Sequence, residues 1–287
     1  MSQPQYPRRP RRTPNKRRRL LLILLPILIV IVGLSLFAVY RMQHSIIKNE
    51  LGLRNLPIDS SLLQTGAPFY TYENADDRVR AVPGVDVSTF QGEIDWPAVK
   101  ASGAEFAIIR AAYRGYETGK LVPDDTFARN IDGAAAAGLH VGVYLFSQAL
   151  NEEEAVQEAD YLLELIDGHP VDYPVVYDQE EYTADQARTD GLTGEQATKN
   201  ALAFCRRIHE AGYLPMIYTN NDWAGTMYDM KQLDHYPIWF ADYTTFPTLS
   251  GGFAMWQYTD QGTVPGISGP AVPRPRRTFS SRCGHGI

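Results

Sequence analysis

The chain has 287 residues, enough for one large domain or two small ones, and its 44% hydrophobic and 21% charged residues exclude a collagen-like or wholly disordered protein. The net charge of −6 conceals an asymmetry: residues 1–54 carry 11 Lys and Arg against 1 acid, residues 55–269 carry 12 against 32, and residues 270–287 carry 4 against none. The acidic body argues against nucleic acid as a partner, because phosphates need a basic face. Two cysteines, Cys205 and Cys283, cannot build a disulfide framework, and no Cys-x-x-Cys pair offers a zinc or redox site.

Residues 20–40 are uncharged and mostly Leu, Ile and Val. As a helix they span about 31 Å, the thickness of one bilayer core. Arg8, Arg9, Arg11, Arg12, Lys16, Arg17, Arg18 and Arg19 precede them. The positive-inside rule then keeps residues 1–19 cytoplasmic, makes 20–40 a transmembrane anchor in the lipid bilayer and sends the rest outside. A cleaved signal peptide is the competing reading, but its apolar stretch is usually only about 7–15 residues, and residues 37–41 lack a small-x-small cleavage site. Residues 41–82 are expected to be a stalk, with a short helix near 46–53.

From residue 83 onward, short apolar runs alternate with helical patterns. The runs fall at 85–87, 106–110, 141–146, 174–178, 215–218, 238–241 and 254–258; near-continuous apolarity marks strands buried on both faces. Helices are predicted at 96–101, 124–137 (ending at Gly138), 151–167 (opening with an Asn cap and three Glu) and 193–211 (opening with Thr-x-x-Gln). This order gives an α/β fold with a parallel sheet. Seven strands without a Gly-x-Gly-x-x-Gly turn favour a β/α barrel in residues 83–269 over a dinucleotide-binding fold, with helices either regular or irregular and partly missing. No eighth strand is evident.

Functional groups of such a barrel gather at the C-terminal strand ends. There lie Asp86, Arg110, Tyr144, Asp178 with Glu180, Tyr218, Asp242 and Gln257. The acidic and aromatic character suits a carbohydrate. Asp178 and Glu180, two apart on an extended chain, point to the same side, and two carboxyls facing one cleft leave one of them protonated to higher pH. Glycoside hydrolysis needs such a pair; a solvated acidic loop is the plain alternative. Trp239, Trp256, Tyr144 and Tyr218 could stack on sugar rings or belong to the core, and Arg110 could be a structural ion-pair partner. The six histidines show no metal-ligand spacing, so no metal and no cofactor are expected.

The stretches GVDVSTFQGEIDW from residue 84, FAIIRAAYRG from 106, AAGLHVGVYLFSQA from 136, YPVVYDQE from 173, GYLPMIYTN from 212, IWFADYT from 238 and MWQYTDQGTVPGISG from 255 together resemble glycoside hydrolase family 25, the Chalaropsis-type lysozymes. The resemblance covers nearly the whole body in the family's order. It implies a flattened, irregular β/α barrel and hydrolysis of the β-1,4 bond between N-acetylmuramic acid and N-acetylglucosamine in peptidoglycan glycan strands. By position, Glu180 would be the general acid/base, Asp178 would orient the substrate's 2-acetamido group, and Asp86 would support the site electrostatically. The family usually continues with Val-Asp-x-Asn where this chain has Pro- and Arg-rich residues 270–287, with no acid after Asp260. That tail is expected to be disordered, and stability and activity are expected to be lowered. A wall-binding module without catalysis and a glycosidase for chitin-like chains are the rival readings.

Overall fold

The computed structural model describes residues 53–75, 79–182, 185–249 and 251–267, together with Leu25 and Gly33. The expected cytoplasmic segment, the rest of the anchor, the helix near 46–53 apart from Leu53, and the tail lie outside the described residues. Among the described residues no helix is long and apolar enough to cross a membrane. The chain divides into two units, residues 1–50 and 51–287, and the fold that follows is that of the second.

Its centre is a curled sheet of parallel strands: β4 (Gly84–Val87), β5 (Phe106–Arg114), β7 (His140–Phe146), β8 (Val175–Asp178), β9 (Pro215–Asn220), β10 (Ile238–Ala241) and β11 (Met255–Gln257), hydrogen-bonded in the order β11-β10-β9-β8-β7-β5-β4. All seven expected strands are present. The eighth, β6 (Leu121–Pro123), turns back antiparallel on residues 112–114 of β5, extending the edge that β4 occupies along residues 106–109. It does not insert between β4 and β11, so no backbone ladder joins the two ends among the described residues. The expected barrel is therefore an open, curled half-barrel.

The helices α1 (Trp96–Ala101), α2 (Phe127–Ala136), α3 (Glu152–Ile166) and α4 (Gly194–Glu210) cover the outer face. Their ends follow local chemistry. Asn151 accepts a hydrogen bond from the Glu154 amide, three glutamates fill the first turn of α3, and Thr193 accepts from the Gln196 amide. Helix α2 starts later than residue 124 because Asp124 is drawn into contacts with Thr89, Arg110 and Thr126. Two short helices, α5 (Asn221–Thr226) and α6 (Met230–Leu233), follow β9.

One apolar cluster, including Val143, Leu162, Phe204 and Phe240, fills the space between sheet and helices. A smaller one, with Ile108, Tyr144, Met216, Tyr218 and Trp239, fills the inside of the curl. Strand alternation separates the two sets.

Residues 53–75 and 79–82, expected to be stalk, are folded. They form an antiparallel sheet of β1 (Leu63–Gln64), β2 (Thr71–Asn74) and β3 (Val79–Arg80). The Asn55 side chain donates to Tyr236 O and accepts from the Ile238 amide, both at 2.8 Å, and Leu56 bridges to Phe253. Tyr70 stacks on Tyr258 at 4.1 Å between ring centres. Between this segment and the N-terminal strand ends lies a cavity of about 290 Å³ bordered by Tyr72, Phe106, Tyr173 and Trp256, at the other end of the sheet from Asp178.

Candidate active site

Strand β8 delivers the central carboxyl. Val176 and Asp178 share the inner side, while Tyr177 points outward onto Phe204 at 4.9 Å. The strand ends at Asp178, which is 7% exposed; Gln179 is fully buried and Glu180 half-buried. Burial holds the Asp178 carboxyl well above the usual carboxylate range, and the charges of Glu180 and Asp86 push it the same way, with Arg110 opposing. That mutual influence places Asp86, Arg110, Asp178 and Glu180 in one electrostatic neighbourhood. The Oδ1 atom of Asp178 is buried with no hydrogen-bond partner in the protein. An orphaned acceptor inside a cleft is costly unless a ligand or water meets it.

Asp86, 2% exposed at the end of β4, accepts from Gln257 Nε2 at 2.9 Å, and Gln257 Oε1 in turn accepts from the Tyr243 hydroxyl at 2.8 Å. Thus the first and last strands of the parallel sheet meet through side chains. Tyr144 and Tyr218 pack edge-on against Trp239 at 6.2 and 5.2 Å, forming an aromatic floor inside the curl. The buried Trp239 Nε1 has no hydrogen-bond partner.

Not every predicted site residue joins this group in the same way. Arg110 does what a structural arginine does: its Nε binds Asp124 Oδ2 at 2.8 Å, beneath Phe90 and Tyr113. Asp242 Oδ2 accepts from the Thr248 amide and hydroxyl at 3.0 and 2.7 Å, which ties down the loop after β10. Trp256 belongs to the outer cluster: its Nε1 donates to Asp242 O at 2.9 Å and its ring meets Tyr70, Phe253 and Tyr258. It therefore faces away from Gln257, its neighbour on the same strand.

Three residues at the site escaped the sequence reading. Tyr243 holds Gln257; its position beside Asp242 at a strand end was the available signal. Tyr228 is buried near the carboxyls, and burial, with the Asp178 charge adding, raises its phenol well above the ordinary value. Gln179 is anchored from behind by Tyr177 and Ala149. Tyr116 and Tyr182 stack at 4.2 Å in loops after β5 and β8, adding aromatic surface on the same end of the sheet.

Three acidic side chains that influence one another at the C-terminal strand ends, one of them biased toward its protonated form, are equipped for acid–base work on a sugar. The comparisons agree with that chemistry. The sequence profile of the glycosyl hydrolases family 25 matches residues 85–267. An autolytic lysozyme of Clostridium acetobutylicum is 30% identical over 189 residues, covering 66% of this chain and 53% of that protein. Lysozyme M1 of Streptomyces globisporus is 32% identical over 200 residues, covering 66% and 65%. The chain thus spans about half to two thirds of these relatives' lengths. The crystal structure of a bacterial lysozyme from Streptomyces coelicolor superposes with a TM-score of 0.54 at 29% identity, over 66% of this chain and 88% of that one. With the profile match extending over most of the parallel sheet and through all three acidic positions, the chain belongs to glycosyl hydrolases family 25.

Proposed function

We propose that the protein is a peptidoglycan hydrolase, cleaving the β-1,4 bond between N-acetylmuramic acid and N-acetylglucosamine. The observation that carries this reading is the convergence of Asp178, Glu180 and Asp86 at one end of the sheet, with Asp178 raised by burial and by both neighbours. Glu180, half-buried, is the carboxyl that can reach a glycosidic oxygen. It donates its proton there as the bond from C1 to that oxygen breaks. The carbonyl oxygen of the substrate's own 2-acetamido group attacks C1 from the other face. Water then opens the cyclic intermediate at C1 while Glu180, now a carboxylate, takes a proton from that water.

Asp178 has to be ionised to accept the acetamido N–H, whereas burial and the charges of Glu180 and Asp86 favour its protonated form. An N–H donated by substrate to the buried Oδ1 favours the charged form of Asp178, and that charge in turn favours a proton on Glu180, where the leaving group needs it. Asp86, held by Gln257, stabilises positive charge developing at C1.

Residues 20–40 are read as a single membrane span, with the N-terminus cytoplasmic and the enzyme outside facing the wall. The uncharged stretch and the eight basic residues before it support this reading.

The test is digestion of purified peptidoglycan by the full chain in detergent micelles. New reducing ends at muramic acid are expected, and Glu180→Gln should abolish them. Equal release by Glu180→Gln would overturn the assigned acid. Binding to the wall polymer without release would mark a glycan-gripping module instead.

A further inference from the structure

Behind the two central carboxyls runs a chain of buried polar side chains that the proposed chemistry does not use. Arg114 Nε, on β5, meets Glu158 Oε1, on α3, at 2.7 Å; both are fully or nearly fully buried. The other Glu158 oxygen lies 2.6 Å from Ser147 Oγ, Ser147 Oγ lies 3.0 Å from the Tyr177 hydroxyl, and that hydroxyl lies 3.0 Å from Gln179 Oε1. Gln179 Nε2 donates to Ala149 O at 2.9 Å. The residue between Asp178 and Glu180 is thus tied through its side chain to the helix side of the sheet.

We infer that Gln179 is a positioning residue: its hydrogen bonds to Tyr177 and Ala149, backed by Ser147, Glu158 and Arg114, fix the backbone so that Asp178 and Glu180 both present their carboxyls to the cleft. The inference rests on the reading of those two residues as the acid pair. Strand β8 has ended at Asp178, so no ladder holds Gln179 and Glu180 in the extended conformation that brings alternate side chains to one face. The substitute is a side-chain anchor at the middle residue. Gln179 meets an acceptor with its amide nitrogen and a hydroxyl with its amide oxygen, so rotating it outward would break two buried hydrogen bonds, leaving Ala149 O with Asn200 Nδ2 and the Tyr177 hydroxyl with Ser147 Oγ.

The chain is continuous: Arg114 Nε donates to Glu158 Oε1 at 2.7 Å, Ser147 Oγ donates to Glu158 Oε2 at 2.6 Å and lies 3.0 Å from the Tyr177 hydroxyl, and that hydroxyl donates to Gln179 Oε1 at 3.0 Å.

The experiment compares Gln179→Leu, Gln179→Glu and Tyr177→Phe with the parent chain on purified peptidoglycan, recording kcat and KM separately across pH. Gln179→Leu keeps the size and loses both hydrogen bonds. Its kcat is expected to fall on the order of tenfold to a hundredfold, as misplacement of a reacting group by a fraction of its reach does. KM should stay within about twofold, and the pH limb that reports the acid pair should shift. Gln179→Glu retains an acceptor for Tyr177 and should recover part of the loss. Tyr177→Phe, which leaves Gln179 in place, should show a smaller kcat loss of the same kind and serves if Gln179→Leu does not fold. A folded Gln179→Leu with kcat and pH profile like the parent, or a loss confined to KM, overturns the inference; if only Tyr177→Phe folds, an unchanged kcat in that variant does so. An inactive parent chain would instead overturn the proposed function.

Discussion

The side-chain amide of Gln257, on the last strand of the curled sheet, donates to the carboxylate of Asp86, on the first, at 2.9 Å. No backbone ladder joins those strands among the described residues, so this contact and the Tyr243 hydroxyl that holds the other end of the amide do the work a closing strand pair would do. Fold closure and placement of an acidic group are therefore one feature. Replacing Gln257 by Leu removes one donor from a carboxylate only 2% exposed. The expected loss is about 1–3 kcal/mol of unfolding free energy, read from urea denaturation. Tyr243→Phe, at a residue 36% exposed, should cost less, about 0.5–1.5 kcal/mol. Equal stability of Gln257→Leu and the parent would show that the contact does not close the sheet.

Arg110 couples stability to the acid pair. It is bound to Asp124, whose side chain is fully buried, and it is the cation that holds Asp178 down against burial and two like charges. Arg110→Met strands Asp124, with an expected cost of about 3–5 kcal/mol, softened by the contacts of Asp124 to Thr89 and Thr126. The same change removes the opposing charge from Asp178. In the folded fraction, the acid limb of the kcat/KM profile should move to higher pH, because Asp178 has to lose its proton to accept the substrate's N–H. A stable variant with an unmoved limb would separate Arg110 from the site.

Much of this was legible in the sequence, for reasons of burial. Residues 175–178 and 238–241 are covered on both faces, so they read as unbroken apolar runs and were placed almost to the residue. Strands β1 to β3 have two to four residues each and, apart from the buried Tyr72, exposed or half-buried side chains, so nothing in their composition separates them from a stalk. Strand β6 contains Pro123 and pairs only with the far end of β5. The acidic positions 86, 178 and 180 stand out in the sequence because each lies at the end of an apolar run. Trp256 was assigned to the same site as Gln257, and alternation along a strand forbids that. The contact between the first and last strands is not legible in the sequence because it joins one amide and one carboxylate 171 positions apart.

Glu158 gives the fold a characteristic response to pH. Burial pushes its carboxyl from 4.5 up to about 7, despite the opposing contacts with Ser147 and Arg114. Between those limits the folded state holds a proton that the unfolded chain has released. Unfolding free energy therefore falls as pH rises from about 4.5 through about 7, and Asp178, also raised, contributes in the same direction. Thermal or urea unfolding at closely spaced pH values should show this decline, and Glu158→Gln should flatten it. Identical slopes in the variant and the parent would mean that Glu158 is ionised throughout.

The end of the described chain is fastened by a glycine that no other residue can replace cheaply. Gly266 has φ of 93°, and a Cβ there would lie 2.4 Å from Asp95 O and 2.9 Å from Val99 N, both backbone atoms of the turn into α1. Its carbonyl accepts from the Asp95 amide at 2.8 Å, and Ile267 bridges to Ile94. Asp95 is also the N-cap of α1, accepting from the Ala98 amide. Gly92 makes a suitable control, because its φ is also positive, 64°, yet a Cβ there would meet nothing within 4 Å. Gly92→Ala should cost about 1 kcal/mol for the left-handed backbone alone. Gly266→Ala adds the collision with backbone that cannot move without uncapping α1, so it should cost distinctly more and should speed hydrogen exchange at the amides of residues 94–99. Equal costs for the two substitutions would show that residues 264–267 are only loosely laid against α1.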